Sequence, residues 1–164
     1  MKNIMQVSPF GQEQDKIYMV QALECAGQAF AQDEVPIGAI IVDPQGVVVA
    51  RAYNQVEGQH TQRAHAEMLA VEEAGKKLGD WRLDGYWLYV TLEPCSMCMH
   101  FMMLSRLGGI VYGADSPLFG YRLDNSASLR VYKRDIVEIV GGVCAQESAD
   151  LLKQFFRKRR IDGG

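Results

Sequence analysis

Several features of membrane, secreted and disordered proteins are missing from this chain of 164 residues. No stretch approaches the roughly 18 consecutive apolar residues that span a bilayer. Residues 1–14 contain one lysine and no apolar core, which argues against a secretory signal peptide. Internal repeats and low-complexity tracts are also missing. Because 48% of the residues are hydrophobic and 23% are charged, the composition predicts one globular domain over residues 1–164, with 1–14 as a loosely ordered N-terminal extension.

Cysteine and histidine are both scarce, with four cysteines and three histidines in the chain. So few cysteines, without a recognisable signal peptide, favour reduced thiols or metal ligands over a framework of disulfides. The disulfide-rich secreted class is therefore excluded, and a cytoplasmic protein without a membrane association is expected.

Neither sign of charge dominates the chain, whose formal net charge is −3, but the charges are unevenly distributed. Residues 1–120 carry a net charge of −6, whereas residues 121–164 carry +3. Five basic residues lie within 153–160, which read Lys-Gln-Phe-Phe-Arg-Lys-Arg-Arg. Such asymmetry is typical of a surface for an anionic partner, although basic side chains also favour the negative end of a helix dipole. Charge alone leaves both interpretations open.

Apolar periodicity and turn residues predict an alternation of helices and strands along the chain. Helices are predicted over 15–32, 64–78, 95–107 and 146–160, and strands over 38–53 (as a hairpin), 86–91, 110–112 and 136–140. Strands that alternate with helices form a sheet with parallel pairs and with helices on both faces, so the predicted fold class is α/β. In such sheets, active sites lie where strands end and helices begin.

Two strand-to-helix junctions carry the residue types that bind metals. His65 lies in Ala-His-Ala-Glu at the start of the second predicted helix, and Cys95 and Cys98 lie in Glu-Pro-Cys-Ser-Met-Cys at the start of the third. Zinc favours thiolate and imidazole ligands in a tetrahedron, and three protein ligands leave the fourth position for water, as in catalytic sites. The two motifs together predict a catalytic zinc site with these three residues as ligands.

Glu67 follows His65 by two residues and is not needed as a ligand. Zinc lowers the pKa of its bound water to about 7, and a nearby carboxylate can move a proton from that water to a leaving group. Attack of zinc-bound hydroxide on an amidine carbon, with loss of ammonia, needs these groups. Taken alone, the Cys-x-x-Cys pair also fits a redox dithiol or a structural zinc corner, so both remain alternatives.

The combined pattern resembles that of the zinc-dependent nucleobase deaminases, in which His-x-Glu is followed by Pro-Cys-x-x-Cys. Over about residues 15–160, the chain is similar to the bacterial tRNA adenosine deaminase family, which belongs to the cytidine/deoxycytidylate deaminase superfamily. The segments that carry this resemblance are 34–39, 53–54, 64–68, 88–95 and 155–157.

The resemblance implies a three-layer α/β/α fold of the cytidine deaminase type, with a five-stranded mixed sheet. It implies a homodimer with one zinc ion per subunit, which deaminates adenosine to inosine at the wobble position of the tRNA anticodon stem-loop, with Glu67 as the catalytic proton shuttle. The residues that it assigns to binding of the target nucleoside are Asn54, Val35, Pro36 and Ala66. Those that it assigns to RNA contacts are Phe155, Phe156, Arg157, Lys158, Arg159 and Arg160.

The chain departs from that family at residues 61–63, 99–103 and 115–134. The family usually has Asp-Pro-Thr before Ala-His-Ala-Glu, whereas this chain has Thr61, Gln62 and Arg63 there. The same zinc machinery would also serve a deaminase of free guanine, cytidine or a related nucleotide, but a small substrate needs no basic terminal helix. A catalytically silent zinc scaffold that presents RNA is a third alternative, and the presence of Glu67 argues against it.

Overall fold

The fold is built on a five-stranded sheet, in a computed structural model that describes residues 7–123 and 138–163. The helices are α1 (Gln12–Ala31), α2 (Val56–Gln59), α3 (Ala66–Leu78), α4 (Ser96–Leu104) and α5 (Ala145–Asp162). The strands are β1 (Gly38–Val42), β2 (Val48–Tyr53), β3 (Trp87–Leu92), β4 (Gly109–Ala114) and β5 (Glu138–Val140). Two short 3-10 helices span Gln62–Ala64 and Tyr121–Leu123. Within the described residues, none of the helices is both long and apolar enough to cross a membrane.

The sheet has the strand order β2-β1-β3-β4-β5 and contains both kinds of pairing. β1 is antiparallel to β2 and β3, whereas β4 is parallel to β3 and β5. The three central strands are buried on both faces apart from Leu92 at the end of β3. Their mostly uninterrupted apolar sequences are what a sheet covered on both sides requires. The predicted α/β class with a five-stranded mixed sheet is confirmed.

Helices cover the two faces of the sheet and form two separate apolar cores. One core lies under α3 and α4 and contains Ile41 of β1, whereas the other lies under α1 and contains the preceding residue, Ile40. Successive strand residues point to opposite faces of the sheet, so the adjacent residues Ile40 and Ile41 of β1 pack in different cores. Gly38 permits the close approach of α1, since a Cβ atom there would lie 2.0 Å from the main-chain oxygen of Ala22. Helix α5 packs against β4 and α1 on this second face.

Several predicted elements are present with shifted ends. The helix predicted over 95–107 stops at Leu104, because Arg106 adopts a left-handed backbone conformation with a φ of 61°. β4 extends over Gly109–Ala114, beyond the predicted 110–112. Helix α2 and the 3-10 helix before α3 are additions, since such short segments carry no readable periodicity. Residues 136 and 137 of the last predicted strand lie outside the described residues.

Residues 7–14, which belong to the stretch expected to be a loosely ordered extension, are attached to the sheet. Helix α1 begins at Gln12, and Ser8 before it is buried. The main-chain N–H and the hydroxyl group of Ser8 both donate hydrogen bonds to the carboxylate of Asp15. The hydroxyl group of Tyr89 on β3 donates to the same carboxylate at 2.7 Å. Residues 1–6 lie outside the described residues.

Candidate active site

The predicted metal ligands lie at the N-termini of two neighbouring helices. His65 and Cys95 are the N-cap residues of α3 and α4, and Cys98 lies in the first turn of α4. Cys95 follows the end of β3 after two intervening residues, as predicted. His65 follows the 3-10 helix Gln62–Ala64, which lies between β2 and α3.

The structure brings the three predicted ligand atoms together. Nδ1 of His65 lies 3.8 Å from Sγ of Cys95 and 3.4 Å from Sγ of Cys98. All three atoms lie within 4.8 Å of one another, and no fourth His, Cys, Asp or Glu of the described residues joins them. Tetrahedral zinc, with bonds of about 2.1 Å to nitrogen and about 2.3 Å to sulfur, separates its ligand atoms by roughly 3.6–3.8 Å. The cluster therefore fits one zinc ion per chain and leaves a fourth position for a water molecule.

Electrostatics at Cys95 favours the charged form that metals bind. A hydrogen bond from the Cys98 thiol lowers the pKa of Cys95 to about 4. The N-terminus of α4 adds the positive end of a helix dipole, which also stabilises a thiolate. Both effects favour the thiolate form of Cys95.

Glu67 lies beside this cluster in the first turn of α3 and is only 5% exposed. Burial raises the pKa of its carboxyl group to about 7, although a hydrogen bond with Cys98 acts in the opposite direction. A carboxyl group with this pKa can accept and release a proton near neutral pH, as general acid–base catalysis requires. Such a perturbed group next to a metal cluster is a typical feature of an active site.

Asn54 and Val35, two of the residues expected to bind a nucleoside, meet beside the metal-ligand turn. Asn54 is buried, and its Nδ2 atom donates a hydrogen bond of 3.3 Å to the main-chain oxygen of Val35. The main-chain N–H of Gln55 donates at 2.9 Å to the carbonyl oxygen of Ala64, which directly precedes the ligand histidine. The other two expected residues, Pro36 and Ala66, are both buried.

Glu34 is a buried carboxylate that the sequence pattern does not assign to the site. It is 3% exposed, and its two oxygen atoms accept hydrogen bonds from the main-chain N–H groups of Glu57 at 3.0 Å and Gly58 at 2.6 Å. These bonds join the segment that contains Val35 to helix α2, which follows Asn54. The signal in the sequence is a pair of acidic residues, Asp33 and Glu34, directly before an apolar run, but the partners of Glu34 cannot be predicted from that signal.

The basic C-terminal helix lies against the turn at Asp33. Nζ of Lys158 is 3.5 Å from the Asp33 carboxylate, and Nη2 of Arg159 donates at 2.9 Å to the Asp33 main-chain oxygen. Phe155, which is also expected to contact RNA, is 2% exposed and packs edge to face on Phe30. The remaining residues with expected RNA contacts are all exposed, namely Phe156, Arg157, Lys158, Arg159 and Arg160.

The divergent stretch that begins at Asp115 is connected to the metal site through Glu93. Glu93 is 3% exposed and lies two residues before Cys95. Its Oε1 atom accepts hydrogen bonds from Nε of Arg122 at 2.9 Å and from Nη2 at 2.8 Å, and the same guanidinium group contacts Asp115 at 2.5 Å. Residues 124–134 of this stretch lie outside the described residues.

A sheet of this topology with a His-Cys-Cys cluster and a buried glutamate defines the class of zinc-binding deaminases. Residues 12–114 match the family model of the cytidine and deoxycytidylate deaminase zinc-binding region. Within this class, the chain belongs to the family of tRNA-specific adenosine deaminases, because bacterial proteins of that name are 44% and 38% identical to it over most of its length. The family resemblance and the presence of zinc-binding residues are thereby confirmed.

Relatives in bacteria carry the comparison over most of the chain. The tRNA-specific adenosine deaminase of Bacillus subtilis (strain 168) is 44% identical over 149 residues, which are 90% of this chain and 91% of the relative. The enzyme of that name from Rickettsia bellii (strain RML369-C) is 38% identical over 147 residues, or 87% and 99% of the two chains.

Solved structures show the same fold. One of them comes from studies of A-to-I editing by tRNA:A34 deaminases at the wobble position of transfer RNA. Its TM-score with this chain is 0.76 and its sequence identity is 35%. The match covers 82% of this chain and 98% of that structure's chain. The guanine deaminase from Nitrosomonas europaea has a TM-score of 0.75 with 22% identity, over 94% and 97% of the chains. At that identity the second similarity concerns the fold alone.

Proposed function

We propose that this protein is a tRNA adenosine deaminase, which hydrolyses the exocyclic C–N bond of adenosine at the anticodon wobble position and produces inosine. The observation that carries the proposal is Glu67, a buried carboxyl group with a pKa of about 7 beside the His-Cys-Cys cluster. A silent zinc scaffold has no use for such a group. Support for the substrate comes from the relatives named tRNA-specific adenosine deaminase, which are 44% and 38% identical to this chain.

In the proposed reaction, Glu67 is the catalytic residue that moves protons. Zinc, when held by His65, Cys95 and Cys98, would supply a water molecule activated for attack at C6 of adenine. Glu67 takes up the proton that this water loses and delivers it to the leaving nitrogen, so that neutral ammonia departs. Because Glu67 is only 5% exposed, bulk water competes little for the proton.

The target nucleoside would be held between Asn54 and three apolar residues. The side-chain amide of Asn54 has two N–H groups and an acceptor oxygen, and one N–H is used on the carbonyl group of Val35. The remaining N–H and the oxygen can hydrogen-bond to the ribose or the base. Val35, Pro36 and Ala66 would form the walls of the base pocket.

The RNA outside the pocket would contact the exposed face of α5. Arginine side chains neutralise phosphates and make binding dependent on salt concentration. Phe156 is 49% exposed, so its ring is available to stack on an unpaired base of the anticodon loop. A free base or nucleoside would not use this surface, and we therefore favour an RNA substrate.

We also propose that the protein acts in the cytoplasm as a homodimer. None of its four cysteines forms a disulfide, as is usual in a reducing compartment. Several large apolar side chains on or after α3 and α4 are 40–55% exposed, and such surfaces often bind another protein. These side chains are Leu78, Trp81, Met97 and Leu104. Light scattering in solution should give twice the mass of the chain.

An anticodon stem-loop with adenosine at the wobble position tests the activity directly. Mass spectrometry should detect inosine at that position, and a stem-loop with its only loop adenosine moved one position away should remain unmodified. Free guanine and cytidine, assayed for ammonia release, represent the alternative function. Rapid ammonia release from either one, with no inosine in the stem-loop, would reverse the assignment.

A further inference from the structure

The three residues that replace the usual Asp-Pro-Thr of the family motif build the turn that carries His65. Oγ1 of Thr61 accepts a hydrogen bond of 3.2 Å from the main-chain N–H of Arg63 and so caps the 3-10 helix. Nη1 of Arg63 in turn lies 3.1 Å from the carboxylate of Glu72 on α3. The turn is thereby tied to the helix that His65 begins.

Gln62, the middle residue of the three, contacts the predicted metal ligand itself. Its Oε1 atom lies 3.0 Å from Nε2 of His65, whereas Nδ1 of the same ring faces the sulfur atoms of Cys95 and Cys98. An amide oxygen only accepts hydrogen bonds, and a neutral imidazole has one N–H group. In the neutral ring, this contact requires the proton on Nε2, which leaves the lone pair on Nδ1, the atom that faces the two sulfur atoms.

We propose that Gln62 is a positioning residue of the zinc site, which fixes the tautomer and the ring orientation of His65 and thereby tightens zinc binding. Hydrogen-bond partners behind a metal-ligating histidine typically contribute about 10- to 100-fold to metal affinity. Gln62 is exposed, so water can partly replace its oxygen, and we expect an effect near the lower end of that range. Proline, the usual residue at this position of the motif, has no side-chain acceptor. The inference rests on the zinc-dependent function proposed above but not on the identity of the RNA.

Zinc affinity of the full chain tests the proposal without any substrate. Gln62→Met keeps the length of the side chain and removes the acceptor. Gln59→Met is the matched control, because Gln59 is an exposed glutamine three residues earlier whose amide donates to Gln55 at 3.0 Å. Competition with a chromophoric chelator at neutral pH should give a zinc Kd about tenfold higher for Gln62→Met than for Gln59→Met. A ratio below about threefold would overturn the proposal. The absorption bands of bound Co²⁺ should shift in Gln62→Met and remain unchanged in the control.

Gln62→Glu separates the hydrogen bond from a general disturbance of the turn. A carboxylate at the same position accepts a stronger hydrogen bond from Nε2, so zinc should bind at least as tightly as in the unmodified protein. Binding as weak as that of Gln62→Met would contradict a role through Nε2. Because zinc binding is measured without RNA, a failure of wobble deamination would not affect this result. An unmodified chain that binds no zinc would instead overturn the proposed function itself.

Discussion

Nη2 of Arg159 donates a hydrogen bond of 2.9 Å to the main-chain oxygen of Asp33, which joins the basic C-terminal helix to the turn directly before Glu34 and Val35. Lys158 strengthens the contact through the carboxylate of the same aspartate. Arg157 and Arg160 are three residues apart, so they share another face of the helix, and both are exposed. The basic tail thus combines an attachment to the protein with a basic face directed to solvent.

This division predicts which arginines bind RNA. The double variant Arg157→Gln/Arg160→Gln should bind the anticodon stem-loop more weakly. The slope of log Kd against log salt concentration should also fall, by about one for each phosphate that the variant no longer neutralises. Fluorescence anisotropy over a range of salt concentrations measures both effects. Lys16→Gln is the control, because Lys16 is exposed on α1 and about 21 Å along the helix from Phe30, where the basic end of α5 packs. An unchanged slope in the double variant would indicate that the basic tail has a purely structural role.

Glu67→Gln should retain zinc and lose turnover. The amide has nearly the same shape but cannot take up or release the proton, and general acid–base catalysis typically contributes about 100- to 10,000-fold. Inosine formation under single-turnover conditions and metal analysis of the same sample measure the two properties. The control is Glu73→Gln on the same helix, since the Glu73 carboxylate is 40% exposed and forms an ion pair of 2.8 Å with Lys77. Residual activity within tenfold of the unmodified protein would remove Glu67 from the mechanism.

Cys95→Ser should abolish zinc binding and lower the thermal stability. A ligand that binds only the folded state stabilises it by about 4 kcal/mol when its concentration is 1,000 times the Kd. Treatment of the unmodified protein with a strong chelator should therefore lower its Tm in the same way. Cys144→Ser, at the half-buried N-cap of α5, should keep its metal. Full zinc occupancy in Cys95→Ser would contradict the proposed ligand set.

The fold class and the metal cluster could be predicted because their signals are local and repeated. His65, Cys95 and Cys98 are rare residue types in short motifs, and all three lie at the N-termini of helices. The alternation of apolar strands with helices was enough to predict the layers. The methionines after Cys98 carry no chemistry, and Met99 and Met102 fill the apolar core as flexible side chains often do.

Features that depend on a distant partner could not be predicted from the sequence. Two adjacent phenylalanines look equivalent, and only the packing of Phe30 on Phe155 decides that one ring is buried and that Phe156 is exposed. The partners of Glu34 lie in α2, which has four residues and therefore no periodicity to read. The acceptor role of Gln62 requires the backbone of a 3-10 turn, which a motif does not reveal.

Tyr89→Phe should lower the stability without affecting the site. Tyr89 is fully buried, and burial raises the pKa of its hydroxyl group, so it remains a donor to Asp15. Loss of one hydrogen bond to a buried carboxylate costs about 1–3 kcal/mol. Urea unfolding should show this decrease, with Tyr86→Phe as the control on a half-buried tyrosine just before the same strand. Zinc content should be unchanged, because Asp15 contacts the face of the sheet opposite the metal cluster. A loss of zinc would contradict this separation of the two faces.

Glu34→Gln should impair the pocket while the metal site stays intact. The carboxylate accepts hydrogen bonds from two main-chain N–H groups of α2, and glutamine would direct an NH₂ group at one of them. The loss of a hydrogen bond to a charged group, about 1.5–3 kcal/mol, would loosen the Val35 carbonyl that orients Asn54. We therefore expect kcat/KM for the stem-loop to fall about 10- to 100-fold, with zinc content and the salt dependence of RNA binding unchanged. Glu57→Gln is the matched control, because Glu57 takes part in the same contact only through its main-chain N–H and its side chain is exposed. Equal losses in the two variants would mean that Glu34 supports the general fold rather than the orientation of Asn54.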